Sequence, residues 1–275
     1  MKQSIKNTIQ FTLWLIVGVG IVVLFVAAFQ YRKNEICNNY IVKINNHQQG
    51  NFITQSEISE LLNASGVLKQ KPIKRINLAL LERVIEKNSW VKNAELYFEN
   101  NNILHVDINQ NQAIARLITV NGNSYYLDEL GKRLPIKSNA TTRVMVITNF
   151  PSDREKLATP DSLLLAQVTS LANLISVDSF WNAQIAQINI DFNGKFELIP
   201  TLGNQTIIFG NIENAKEKFE KLLAFYKSAW IKNGINTYST LDLRFTNQIV
   251  AKRKGNEKTI KDSLSILTNL INSIR

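Results

Sequence analysis

Cysteine is almost missing from this chain of 275 residues; Cys37 is the only one. One thiol cannot close an internal disulfide, so no covalent staple holds the fold. Histidine occurs only at His47 and His105. Two histidines and one cysteine cannot build metal clusters of the usual spacing. His47 falls in turn chemistry, and His105 on the polar face of a strand, where it reads as a cross-strand partner. Glycine (11) and proline (5) are sparse, and neither a glycine-rich phosphate loop nor a Gly-x-Ser-x-Gly elbow occurs. Acidic residues number 22 against 32 basic ones, for a net charge of +10. That balance suits anionic lipid headgroups. No basic–aromatic motif accompanies it, so nucleic acid is not an expected partner. The expectation is a non-enzymatic binding protein with no cofactor, no metal and no small-molecule substrate. A membrane-anchored hydrolase whose residues converge only in three dimensions is the rival.

Against these absences stands one long apolar run, Phe11 to Phe29, in which Thr12 is the only clearly polar side chain. As a helix it spans roughly 28 Å, close to the roughly 30 Å core of a bilayer. The apolar region of a cleaved signal usually runs about 7–15 residues, so this longer run reads as a retained anchor. Lys2 and Lys6 precede it and Arg32 and Lys33 follow it, a near tie in flanking charge. The free amino group and the short head favour an N-terminus on the cytoplasmic side. The expected organisation is a head over residues 1–10, a transmembrane helix over 11–30, one domain over 31–111, a second over 112–252, and a basic linker with an amphipathic helix over 253–275.

The first domain opens on a strand at Tyr40–Asn45. Thr54 and Glu57 form a capping box ahead of a helix carrying Ile58, Leu61 and Leu62. A second helix begins near Asn77, with Leu78, Leu81, Val84 and Ile85 on one side and Glu82, Arg83, Glu86 and Lys87 toward water. A strand starts at Trp90, Asn100–Asn102 turns, and Ile103–Asn109 alternates, with Leu104, Val106 and Ile108 facing one way. Strand, helix, helix, strand, strand resembles the POTRA module. The hairpin from Trp90-Val91-Lys92-Asn93-Ala94-Glu95-Leu96 to Leu104-His105-Val106-Asp107-Ile108 is similar to the FtsQ/DivIB family of bacterial division proteins. Gln110 stands where that family usually has an acid, and Ala113 where it has proline.

Later segments extend the resemblance. Ile114–Val120 is a strand, and Asn121-Gly122 suits a tight hairpin with positive φ at both central positions. Leu127-Asp128-Glu129-Leu130-Gly131 is similar to the family's Leu-Asp-x-x-Gly step and implies a turn rather than an acid pair. Thr159-Pro160-Asp161 reads as a helix start, with Thr159 as the capping hydroxyl. Strands follow over 185–192, 195–199 and 205–209, and Asn211 is placed to cap a long helix reaching Trp230. Thr240–Phe245 is similar to the family's Asp-Leu-Arg-Tyr strand, with Phe245 in place of tyrosine, and Gln248–Lys252 reads as a closing strand. The fold class is α+β: the anchor, a POTRA domain of order β-α-α-β-β, then a mixed, mostly antiparallel β domain with helices.

The resemblance implies a single-pass protein of the cytoplasmic (inner) membrane, its large domains outside the cytoplasm at the division septum. It implies a scaffold that links early cytoplasmic division proteins to septal peptidoglycan synthesis. Carried over by position, the last strands would bind membrane-anchored proteins of the FtsB/FtsL type and septal peptidoglycan synthases through Arg244, Phe245, Gln248, Ile249, Val250 and Lys252. A POTRA protein of outer-membrane assembly or secretion is the alternative, but it would need a C-terminal barrel of many strands. In the last stretch, Ile260, Leu264, Leu267, Ile271 and Ile274 follow spacings of four, three, four and three, a coiled-coil seam. Leu264, Leu267, Ile271 and Ile274 are thus candidate partner contacts. Packing back on its own domain and a frayed tail are the alternatives.

Overall fold

The computed structural model describes residues 2–31, 36–37, 39–45, 50–66, 72–99, 102–230, 232, 234 and 236–255. The first element, α1 (Lys2–Tyr31), is a continuous helix of 30 residues that takes in the head as well as the apolar run. Side chains are described only for residues 13–27 of it, all of them exposed. Among the described residues no helix is long and apolar enough to cross a membrane. The chain divides into two units, Met1–Asn111 and Gln112–Arg275.

The first unit pairs β1 (Asn39–Asn45), β2 (Val91–Phe98) and β3 (Ile103–Gln110) in the order β1-β3-β2, with β1 parallel and β2 antiparallel to β3. Between β1 and β2 come α2 (Gln55–Ala64), a 3-10 turn (Ile73–Arg75) and α3 (Leu78–Glu86). This is the order β-α-α-β-β. The capping box forms as its residues require: Thr54 Oγ1 accepts from Glu57 N, and Glu57 accepts from Thr54 N. Asn77 caps α3 by accepting from Leu80 N. Leu104, Val106 and Ile108 are wholly buried, and Ile58, Leu62, Leu81 and Ile85 of the two helices are buried as well. Two α3 side chains differ from expectation. Glu86 accepts from Ala94 N at 3.2 Å and Glu82 from Leu96 N at 3.0 Å, so these carboxylates cover the outer edge of β2, Glu86 while still exposed to water and Glu82 half-buried.

The second unit is one nine-stranded sheet in the order β12-β11-β10-β9-β8-β7-β4-β5-β6. Its strands are β4 (Ala115–Thr119), β5 (Ser124–Leu127), β6 (Arg133–Leu134), β7 (Met145–Phe150), β8 (Ile185–Ile190), β9 (Phe196–Pro200), β10 (Thr206–Gly210), β11 (Tyr238–Asp242) and β12 (Val250–Arg253). Pairing is antiparallel except for β4–β7, β7–β8 and β10–β11. Parallel neighbours need a crossover. Helices α4 (Thr159–Val177) and α5 (Ser179–Gln184) supply it between β7 and β8, and α6 (Ala215–Phe225), continued by a π-helical turn (Tyr226–Trp230), between β10 and β11. One core runs under all three helices, joining Leu117, Ile147, Ile188 and Leu198 to Leu171, Trp181 and Leu222.

Local chemistry moved three expected boundaries. Only Gly122 takes positive φ in the β4–β5 turn (+87°), with its N–H donating to Thr119 O, so Asn121 keeps an ordinary conformation. The N-cap of α4 is Ala158, which puts Thr159 and Pro160 inside the first turn and leaves Thr159 with no capping role. Helix α6 starts after Asn214, not Asn211; the Asn211 carbonyl and side chain instead accept from Lys218 Nζ at 2.8 and 3.1 Å.

Candidate docking edge

The sheet of the second unit ends at β12, and among the described residues no strand lies beyond it. Leu241 and Leu243 are buried and fix the end of β11 in the core. Asp242, between them, is also buried and holds the chain as it leaves the strand. It accepts from Arg244 N at 3.1 Å and takes the guanidinium on both oxygens, Nε–Oδ1 at 2.9 Å and Nη2–Oδ2 at 2.6 Å. Burial pushes the Asp242 carboxyl up, but hydrogen bonds and charge from Arg244 outweigh it and hold the carboxyl below its usual range. Because the folded carboxyl is the more acidic, its stabilisation is present above the unfolded value of about 3.9 and fades as pH falls through the folded one.

The methylenes of Arg244 lie over Gly210, where an added Cβ would come within 2.9 Å of Arg244 Cγ. Gly210 also has φ +79°, a conformation a side chain resists, so both reasons call for glycine there. From α6, Lys221 Nζ donates to Phe245 O at 2.7 Å and pins the turn. Asn247 completes the reversal with φ +61°.

Strand β12 returns against β11 with Asp242 opposite Val250, Leu241 opposite Ala251 and Thr240 opposite Lys252. Leu243 N donates to Ile208 O, which aims the odd-numbered N–H groups of β11 at β10 and the even-numbered ones at β12. In β12, the Val250 and Lys252 N–H groups therefore face β11. Those of Ala251 and Arg253 point away from the sheet. Val250 is 48% exposed, and Lys252 and Arg253 are exposed as well. Ala251 packs on the core beneath. The edge thus offers outward backbone groups beside an exposed apolar side chain and two cations.

The six positions nominated by sequence do not form one strand. Arg244 and Phe245 lie past the end of β11 in the turn, because Asp242 captures Arg244. Gln248 and Ile249 precede β12, and Ile249 is half-buried on the core rather than offered at the edge. Only Val250 and Lys252 sit in the closing strand. The structure adds Ala251, Arg253, Asp242 and Lys221. The Asp242–Arg244 pair was legible, since residues two apart share a strand face; the reach of Lys221 from another element had no local signal. Leu264, Leu267, Ile271 and Ile274 lie outside the described residues.

Other polar clusters are structural. His105 lies 3.2 Å from Glu99 and stacks on Tyr97, while His47 is outside the described residues. Asp128 Oδ1 accepts from Leu130 N and Lys132 N, which makes Asp128-Glu129 a turn. Among the described residues no three His, Cys, Asp or Glu gather as a metal would need. Cys37 is buried, and burial raises its thiol.

Comparison with known proteins agrees with this architecture. Residues 35–109 match a POTRA-like domain, and residues 112–252 match the family described as FtsQ/DivIB, C-terminal related. The cell division protein FtsQ of Rhodothermus marinus is 22% identical over 215 residues, covering 76% of this chain and 78% of that protein. With a family model matching more than half of its length, from the first strand of the sheet to the docking edge, this chain belongs to the FtsQ/DivIB family.

Proposed function

We propose that this protein is a non-enzymatic scaffold of bacterial cell division. It is held in the cytoplasmic membrane at the septum by a single span, Phe11–Phe29 within α1, with its N-terminus in the cytoplasm and both domains outside. It links early cytoplasmic division proteins to the septal peptidoglycan synthesis complex. Family membership supports the division role. The uncharged run inside a continuous helix, its described side chains all exposed and apolar or glycine, supports the span. The observation that carries the mechanism is the open edge of β12. A partner strand of a membrane-anchored FtsB/FtsL-type protein adds there, taking register from the Ala251 and Arg253 backbone groups. Val250, Lys252 and the exposed Phe245 give side-chain contacts. Confinement of both proteins to one membrane raises their effective concentration, so a modest strand contact suffices.

The test is capture of an FtsB/FtsL-type partner by the full-length chain in lipid nanodiscs. Proline at Arg253 removes an outward N–H and spares the β11 ladder. Arg253→Pro should cut capture at least tenfold with unchanged thermal unfolding. Undiminished capture by the folded variant removes β12 as the docking edge.

A further inference from the structure

Three neighbouring strands of the second unit, β8, β7 and β4, run parallel. They therefore stop at the same end of the sheet, where Val120, Pro151 and Asp191 follow them. In open sheets with crossover helices, ligands bind outside the carboxyl ends of such strands. A cleft of about 550 Å³ opens there, within the roughly 300–1,000 Å³ of small-molecule sites. Its lining mixes two amides and two carboxylates, Asn149, Asn189, Asp191 and Glu197, with apolar side chains. Among the described residues no cation lines it.

The polar groups are held in place by one another. The β4–β7 register shifts between Leu117 and Thr119, and Asn149, beside the shift, takes φ +63°. Side chains other than glycine seldom adopt that conformation, and a bulge re-aims the side chains near it. Asn149 Nδ2 donates to Asn189 Oδ1 at 2.8 Å, and Thr148 Oγ1 donates to the same oxygen at 2.9 Å. Asn189 Nδ2 donates in turn to Glu197 Oε2 at 2.9 Å. Asp191 Oδ1 accepts from Asn193 N and Lys195 N, both at 2.8 Å. Among the described residues nothing donates to Asn149 Oδ1, Asp191 Oδ2 or Glu197 Oε1, and one proton of Asn149 Nδ2 is spare. At the rim Phe192 is 98% exposed, and Val120 is exposed on the β4 side.

We infer that this cleft binds a pyranose ring of a glycan chain. The C–H face of the sugar lies on Phe192, whose ring face carries the negative part of its quadrupole and attracts polarised C–H groups. The sugar hydroxyls both donate and accept, so they match the open carboxylate and amide oxygens and the spare amide proton together. Both charges in the lining are negative, which turns away an anionic ligand. An ammonium only donates, and leaves the amide proton unmatched. Strand β12 lies four places from β8 in the sheet, so the inference stands apart from docking at that edge.

Titration of the full-length chain in lipid nanodiscs, without sugar-based detergent, tests this. The probes are two neutral oligosaccharides, chitotetraose and maltotetraose, and binding is read by saturation-transfer NMR on the sugar. The wild type should bind at least one of them at about millimolar concentration. Phe192→Ala and Glu197→Ala should each weaken binding about tenfold or more, and Phe192→Tyr should keep it within about twofold. Leu202→Ala, an exposed position in the β9–β10 turn at the opposite end of the sheet, should change nothing. Thermal unfolding checks that each variant stays folded. Binding of chitotetraose alone assigns the cleft to an acetamido sugar, and binding of maltotetraose to the unsubstituted ring; both support the inference. Failure of either sugar to bind up to about 10 mM overturns it. So does an affinity unchanged in Phe192→Ala. Tetralysine is the competing probe: if it binds and the sugars do not, the cleft is an amine site and the inference falls.

Discussion

The amide of Gln110 joins the end of β3 to the loop ahead of α2. Its Oε1 accepts from Phe52 N and Ile53 N at 3.0 and 3.2 Å, and its Nε2 donates to Gly50 O at 3.1 Å. Gln110 is buried, and beside it Phe52 stacks on Trp90 with ring centroids 3.7 Å apart. By sequence, Gln110 was a departure from a family acid. In three dimensions the position needs an acceptor for two backbone N–H groups, which an amide or a carboxylate can each supply. Gln110→Leu leaves that acceptor role unfilled and should cost about 2–3 kcal/mol, the scale of orphaned buried polar groups. Gln110→Glu keeps the acceptor but loses the donor to Gly50 and should cost about 1 kcal/mol. Denaturant unfolding of the two variants checks the order; equal losses would mean that volume, not hydrogen bonding, sets the requirement.

At the scale of elements, the two sheets treat their edges in opposite ways. Strand β2 has its outward N–H groups at Ala94 and Leu96 taken by Glu86 and Glu82 of α3. Strand β12 has no such cover among the described residues. A strand edge is a template for another strand unless it is blocked, and the contrast is what the proposed docking at β12 rests on. Glu82→Ala with Glu86→Ala should uncover β2, seen as hydrogen exchange at Ala94 and Leu96 at least tenfold faster while Leu104 and Val106 keep their protection. Unchanged exchange at those two amides would show that the carboxylates do not shield the edge. Periodicity revealed most elements of both sheets because each strand buries one face and each helix one stripe: Leu104, Val106 and Ile108 alternate, and Leu81 and Ile85 are a turn apart. It misplaced the residues around β12. Arg244 and Phe245 continue the alternation of β11, yet a side chain from their own strand, Asp242, pulls them out of it. The roles of Glu82, Glu86 and Lys221 depend on reach between elements, which no local pattern encodes.

For the whole molecule, the division of labour follows from order along the chain. The apolar run comes first, the POTRA-like unit follows, and the docking edge comes at the end of the second unit. A soluble partner would meet that edge only by diffusion, whereas a partner anchored in the same membrane is already concentrated near it. In the proposed mechanism the anchor is thus part of binding, not a tether alone. The most direct measurement is depletion of the protein in its native cell, with cell length followed by microscopy, and rescue by wild type or by Arg253→Pro. The account predicts long undivided filaments on depletion, normal length restored by the wild type, and filaments persisting with Arg253→Pro at equal protein level. Normal septation in depleted cells would contradict the division role, and full rescue by Arg253→Pro would contradict docking at the edge.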